Sequence, residues 1–436
     1  MKYDVVICGG GLAGVAAAIA SAKMGCATLL VEQYGYLGGC ATLGLVNPFM
    51  KYYVNDRVLA GTIFAEILSN LRSEEGCWGK YCQFFDPEIL KGVLFDLCEK
   101  YGVEVLLYSK FLRAKVRDSH IEYVELALKE GAETAKGLVF IDATGDGDLA
   151  VSAGAPWEYG DGEVAQPMTL MFRIGGIDFK KMLDYLKKSH DYVSWVSLER
   201  LESFIEKNQP FSFAGFSKLI KIYRKDFPDI PAQNQIFLST CIPSRGEAFA
   251  NLTRVQMLSG LYSRDLTKAT VVTYRQARSI VNFLRKHVPG FEKCYLLETA
   301  PIIGVRETRR IIGEYVLKAE DIISARKFED AVAAGCYPID IHPMRPSDKE
   351  TIMLSPPPGD YYEIPYRCLV PLKVTNLLIT GRCISATHEA QAAIRIMPIV
   401  CYLGEASGYA ASLSVEKEGL VRKIDVNTLQ KLLKIR

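Results

Sequence analysis

Residues 2–32 constrain this chain more than any other stretch. An apolar run, 2–8, leads into Gly9-Gly10-Gly11-Leu12-Ala13-Gly14. An alanine-rich apolar run, 15–23, follows, and then a second short apolar run, 28–31, closed by Glu32. The pattern predicts strand, glycine turn, helix and strand in about thirty residues, the βαβ setting that gives a GxGxxG spacing its meaning. Gly9 permits the tight exit from the strand, Gly11 lets backbone approach a pyrophosphate, and Gly14 lets the helix sit close to the sheet. At Leu12 and Ala13 the free N–H groups and the dipole of the helix start favour bound phosphate. Glu32, twenty-one residues after Gly11 and next to Gln33, stands where a carboxylate can accept hydrogen bonds from an adenosine ribose. These residues imply a dinucleotide site on a Rossmann-like unit, and they do not separate FAD from NAD.

Beyond this unit, residues 35–44 are glycine-rich and read as loop, and Asp86-Pro87-Glu88 marks a helix start running to Lys100. Strands are expected at 103–108, 121–129 and 138–141, the last entering Ala143-Thr144-Gly145-Asp146-Gly147-Asp148. From 157 to about 365 the pattern changes to mixed strands and charged helices broken by prolines. A short buried strand at 377–380 and a helix near Pro398, carrying Gly404 and Gly408, suit closure of the first lobe by the C-terminal segment, with that helix close against a sheet. The fold expected is α/β, with a discontinuous Rossmann-like domain over 1–155 and 370–436 and a mixed α+β substrate domain inserted over 156–369.

Composition narrows the function. With 49% apolar and 23% charged residues the chain has no bias toward disorder, and its net charge of +2 lacks the basic footprint of a nucleic-acid binder. No membrane span and no export segment are evident. The 12 cysteines show no CxxC pair and no Cys/His cluster suited to zinc, so no metal is expected. They read as reduced thiols of a cytoplasmic protein; Cys77 and Cys82, the closest pair, are either a redox pair or incidental thiols.

Several motifs, spread over nearly the whole chain, carry a resemblance. They are Leu37-Gly38-Gly39-Cys40-Ala41-Thr42, Ile141-Asp142-Ala143-Thr144-Gly145-Asp146-Gly147-Asp148, Gly304-Val305-Arg306-Glu307-Thr308-Arg309-Arg310, Tyr337-Pro338-Ile339-Asp340-Ile341-His342, Ile364-Pro365-Tyr366-Arg367, and Gly381-Arg382-Cys383-Ile384-Ser385-Ala386-Thr387-His388. In these the chain resembles the FAD-dependent oxidoreductase family of the glutathione-reductase-like flavoproteins. The resemblance implies FAD as cofactor. It also implies that Ala143, Thr144 and Gly145 pass over the adenine end, that backbone near Phe111 reads the adenine edge, and that Gly381 and Arg382 contact the pyrophosphate or ribityl chain. Gly39, Cys40, Ala41 and Thr42 would lie near the isoalloxazine. If Pro398 opens a helix, the amides of Ile399 and Val400 can face the flavin; the alternative is a helix that only packs.

For proton transfer the candidate is His388, which lies between the Gly381-Arg382 turn and the Pro398 helix; a histidine hydrogen-bonded within the core is the alternative. Arg306, Arg309, Arg310, Arg367 and Arg395 concentrate guanidinium groups that bind carboxylates bidentately, and Arg309 and Arg395 are taken as catalytic; ion pairing with Glu307 or Asp340 is the structural alternative. Cys40 is either a packing residue or a thiol able to attach flavin. The reading is an oxidoreductase that exchanges hydride between flavin N5 and an anionic small molecule. A second GxGxxG is absent from 157–365, so electrons are expected to pass to oxygen, a quinone or a protein carrier. A flavin-dependent RNA-modifying enzyme and a non-catalytic flavoprotein subunit are the alternatives.

Overall fold

A computed structural model describes residues 1–231, 235–348 and 350–435. Val5–Cys8 is wholly buried and central in a five-stranded parallel sheet ordered Leu377–Ile379, Val139–Asp142, Val5–Cys8, Thr28–Val31, Glu104–Leu106. Such strands, covered on both faces, need continuous apolar runs, which is what VVIC, TLLV and VFID supply. Cys8 is in register with both Val31 and Asp142. Gly9, Glu32 and Ala143 therefore leave the sheet side by side at its carboxyl edge, where open α/β sheets bind ligands.

The helix Leu12–Lys23 covers one face, and the helix Met397–Val415 lies directly on it. A Cβ at Gly404 would stand 2.1 Å from the Ala13 carbonyl oxygen and one at Gly408 2.2 Å from that of Ala17. The glycines thus make room for another helix rather than for the sheet expected from the sequence. Glu405, on the same helix, is buried and accepts hydrogen bonds from the Thr62 hydroxyl and the Ile63 amide (2.9 Å), capping the helix Thr62–Ser73 whose N-cap, Gly61, has no side chain.

A second core lies in the inserted segment. Phe211–Gly215, Ile236–Ile242, Glu247–Ala250, Phe172–Gly175 and Tyr295–Thr299 form an antiparallel sheet in that order, with Phe172, Phe213, Phe216, Phe283 and Phe291 buried between it and the helices Phe179–Ser189 and Ser263–His287. The expected insertion boundary of 156–369 does not follow the cores. Leu317, Ile322, Val332, Ile339, Tyr362 and Ile364 pack in one cluster with the helix Leu12–Lys23. The change in residue pattern near 365 does not mark this, because contact partners are set by tertiary packing rather than by local composition. The lobes are tied by Thr240 Oγ1 donating to Asn47 Oδ1 (2.9 Å) and by the Arg245–Asp86 ion pair (2.7 Å).

Cys77 and Cys82 form a disulfide, so of the two readings of this pair the structure has the bonded pair and not incidental thiols. The hairpin of Cys77–Trp78 and Phe84–Phe85 brings their Cα atoms to 5.1 Å, within bridging range. Among the described residues no helix is long and apolar enough to cross a membrane.

Candidate active site

The glycine turn is tightly specified. Gly9 has φ +107°, and a Cβ there would lie 2.3 Å from the Ala143 carbonyl oxygen; one at Gly14 would lie 1.8 Å from that of Gly9. Gly11 differs: a Cβ there meets nothing within 4 Å. It is the N-cap of the helix Leu12–Lys23, with no side-chain cap and no acidic residue in the first turn, so no carboxylate of the chain's own occupies this helix start. The loop expected beside it is there, with Gly38 N–H donating to the Gly10 carbonyl (2.8 Å) and Gly39 packed on Gly11.

Glu32 ends its strand as expected. Its buried carboxylate accepts from the amides of Gly10 (2.6 Å) and Tyr34 (2.9 Å), with Gln33 also donating; burial raises its pKa and these amides oppose the rise. Ser109 N–H donates to the Glu32 carbonyl (3.0 Å), which brings the strand Lys110–Arg117, with half-buried Phe111, beside Glu32. Asp142 shapes the opposite wall. It accepts from Thr144 N–H (3.0 Å), Thr144 Oγ1 (2.7 Å) and Ala150 N–H (2.8 Å), and burial pushes its carboxyl up to about 6. Gly145, at φ +78°, then turns toward Arg382.

Gly381, at φ +80°, passes over the helix start, where its Cβ would be 3.3 Å from that of Ala13. Arg382 follows and pairs with Asp146 (2.6 Å), while its Nη1 is buried without a hydrogen-bond partner. An open cradle at Gly11, an uncapped helix start, a carboxylate at ribose height and an unsatisfied guanidinium N–H together fit an adenine dinucleotide with its pyrophosphate.

At the far end of the cleft the expectations divide. Cys40 is exposed to the cleft, within electrostatic reach of Arg382, Arg395 and Arg306; crowding by the walls still raises its thiol pKa, against the pull of these cations. Ala41 and Thr42 do not face the cleft: both are wholly buried, and the Thr42 hydroxyl donates to the Leu37 carbonyl (2.5 Å). The turn through 39–43 sends both side chains into the core and leaves Cys40 outside. Pro398 is the second residue of the helix Met397–Val415, and Val400 N–H is committed to the Ile396 carbonyl (3.0 Å). Of the two amides assigned to a flavin contact, only that of Ile399 lies in the unpaired first turn.

His388 opens the helix His388–Ile394, behind Thr387, whose hydroxyl caps the Ala390 amide. Its Nδ1 lies 2.8 Å from Glu307 Oε1, and its Nε2 is buried without a hydrogen-bond partner. Glu307, wholly buried, also binds Arg310 (2.7 Å) and the Gln166 amide (3.3 Å). A carboxylate partner favours the tautomer protonated at Nδ1, which leaves Nε2 an unpartnered acceptor. Sequence reasoning placed Glu307 only as an arginine partner; no spacing signal couples it to a histidine eighty-one residues away.

The arginines sort themselves. Arg309 turns away, to Asp148 (3.3 Å) and the Trp157 ring (5.6 Å), so it does not join Arg395 as expected. Strand pairing of Trp157–Tyr159 with Arg309–Ile311 sets that direction. Arg310 serves Glu307, and Arg367 pairs with Asp330 (2.9 Å) at the surface. Arg306 and Arg395 do meet, joined by Arg254, which sequence reasoning missed as a lone arginine in an apolar loop. Burial, then Arg395 and Arg254, pull Arg306 down to about 9. Asp340 is the carboxylate of this group: it lies 3.8 Å from Arg395 and 3.6 Å from His342 Nε2. Burial and the three arginines hold His342 well below its ordinary pKa, hence neutral.

The family model described as FAD dependent oxidoreductase matches residues 4–433. The chain belongs to this family. FAD is accordingly the cofactor of this oxidoreductase. Solved structures resembling it include a geranylgeranyl bacteriochlorophyll reductase-like protein of Thermoplasma acidophilum (12% identity, 100% of this chain and 83% of that one, TM-score 0.46). A myxobacterial chondrochloren halogenase is similar at 13% identity over 99% of this chain and 78% of that one, with TM-score 0.45. The anhydrotetracycline hydroxylase of Streptomyces rimosus is similar at 10% identity over 100% of this chain and 65% of that one, with TM-score 0.44.

Proposed function

We propose that this FAD-dependent oxidoreductase is a dehydrogenase or reductase of an anionic small molecule, with hydride exchanged at flavin N5 and the accompanying proton carried by His388. The observation that supports the anionic substrate is the gathering of Arg254, Arg306 and Arg395 around the single carboxylate of Asp340. Bound FAD supplies the two-electron acceptor or donor. The chain's own residues do the rest. Arg306 Nη1 is braced by the Pro167 carbonyl and Thr169 Oγ1 (both 2.7 Å), which orients its remaining donors toward the ligand. When a substrate C–H leaves as hydride, the O–H, N–H or second C–H proton passes to His388 Nε2, and Glu307 stabilises the imidazolium that forms. In the reducing direction the same proton returns. Oxygen, a quinone or a protein carrier would be the outer electron partner of the bound FAD.

The test is anaerobic bleaching of the bound flavin by matched panels: hydroxy, amino and unsaturated carboxylates against the corresponding uncharged alcohols, amines and alkenes. Reduction confined to the carboxylates is expected. Reduction by the uncharged panel alone would refute the reading.

A further inference from the structure

The other well-buried arginines of this chain are matched by carboxylates. Arg173 lies between Glu247 (2.6 Å) and Glu298 (2.7 Å), Arg310 between Glu307 (2.7 Å) and Glu158 (3.4 Å), and Arg382 on Asp146 (2.6 Å). At the cleft this rule is broken. Arg306 donates only to neutral oxygens, Arg254 has no ion pair among the described residues, and Arg395 reaches Asp340 at the long distance of 3.8 Å while its Nε is buried without a partner. His342 adds no positive charge, and its Nδ1 is likewise buried and unpartnered, as are Gln166 Nε2 and Gln391 Oε1. Three cations thus face one carboxylate, an excess of two positive charges in a site with unused donors at Arg395 Nε and Gln166 Nε2. An unpaired buried charge is costly, and mutual repulsion among the guanidiniums adds to the cost, so the site is complementary to two negative charges.

The donors come from three separate places: a loop after the strand Glu247–Ala250, a crossing segment at 304–308, and the C-cap of the helix His388–Ile394. All are side-chain forks. A phosphate is commonly met by a compact nest of backbone amides, whereas separated planar guanidiniums suit separated planar carboxylates. We infer that the cleft takes a small dicarboxylate, its two carboxylates shared among Arg254, Arg306 and Arg395. This rests on the reading that the substrate is anionic and narrows it. Asp340, hydrogen-bonded by Tyr337 (3.1 Å), sets the spacing of Arg395 from the other two.

The experiment titrates the FAD-loaded protein with succinate, fumarate and malonate, with acetate and propionate, and with inorganic phosphate, following the visible flavin spectrum and the thermal midpoint. Dicarboxylates should bind roughly 10- to 100-fold more tightly than monocarboxylates, the worth of one more charge-assisted contact. Arg254→Gln should remove that ratio while flavin stays bound; Arg395→Lys, which keeps the charge but loses the fork, should reduce it and serves if the first variant does not fold. Equal binding of mono- and dicarboxylates, or tighter binding of phosphate than of any dicarboxylate, would overturn the inference and leave an anionic substrate standing. No binding of any anion, with flavin bleached by an uncharged compound, would overturn both.

Discussion

Alanine at Gly11 should separate cofactor binding from folding. The residue sits at φ −65°, ψ 175°, open to any L-residue, and an added Cβ meets nothing within 4 Å. Losing glycine at an N-cap in favour of alanine costs up to about 1 kcal/mol, and restricting the unfolded chain returns about 0.4–1 kcal/mol. Stability of the flavin-free protein should therefore change by less than about 1 kcal/mol. With FAD seated as proposed, the same methyl would stand between the pyrophosphate and the helix start. Displacing two charge-assisted hydrogen bonds removes about 3 kcal/mol, or a factor on the order of 100 in FAD affinity. Gly14→Ala is the control. Its Cβ would stand 1.8 Å from a backbone oxygen, so the fold itself must shift, at about 1–3 kcal/mol or more. Chemical denaturation of flavin-free protein and titration with FAD read the two effects. FAD binding to Gly11→Ala at the wild-type affinity, or a loss of stability in that variant matching that of Gly14→Ala, would refute the reasoning.

Other substitutions address the proton path and the buried carboxylates. His388→Asn should lower turnover by about 10²- to 10⁴-fold with flavin retained, while Glu307→Gln should lower it less and move the basic-group limb of the pH–rate profile, a shift that a purely structural Glu307 would not produce. Asp142 keeps its proton to about pH 6 in the folded state and to about 3.9 when unfolded. Its contribution is complete below the lower value and is lost as pH rises through the upper, a fall of about 3 kcal/mol. Relative to Asp142→Asn, wild-type stability in denaturant melts should fall between pH 4 and 6.5; parallel curves would contradict this. Glu405→Ala should cost about 1–3 kcal/mol in the same melts by leaving the Thr62 hydroxyl and Ile63 amide without their acceptor.

What could be read from the sequence was whatever short-range pattern encodes. The βαβ unit, the Asp86-capped helix and the C-terminal strand all rest on local signals, namely glycine spacing, a capping residue and apolar runs. The faces of residues within irregular turns were not readable. Cys40, Ala41 and Thr42 are consecutive, and only the turn geometry sends the first to the cleft and the other two to the core. The placement of Arg309 was lost for a similar reason, since strand register decided its direction. Long-range convergence was least legible. Arg254, Arg306, Asp340 and Arg395 are scattered over more than a hundred residues, and Glu307 meets the helix start at His388 only through tertiary packing.

The central claim is that FAD binds at the site proposed between Gly11 and Arg382. The most direct measurement is the visible absorption spectrum of the purified protein, repeated on supernatant and pellet after acid precipitation. A flavin spectrum that passes entirely to the supernatant is the predicted result. Colour retained in the pellet would reassign Cys40 as an attachment point, and a colourless protein that takes up no added FAD would contradict the account.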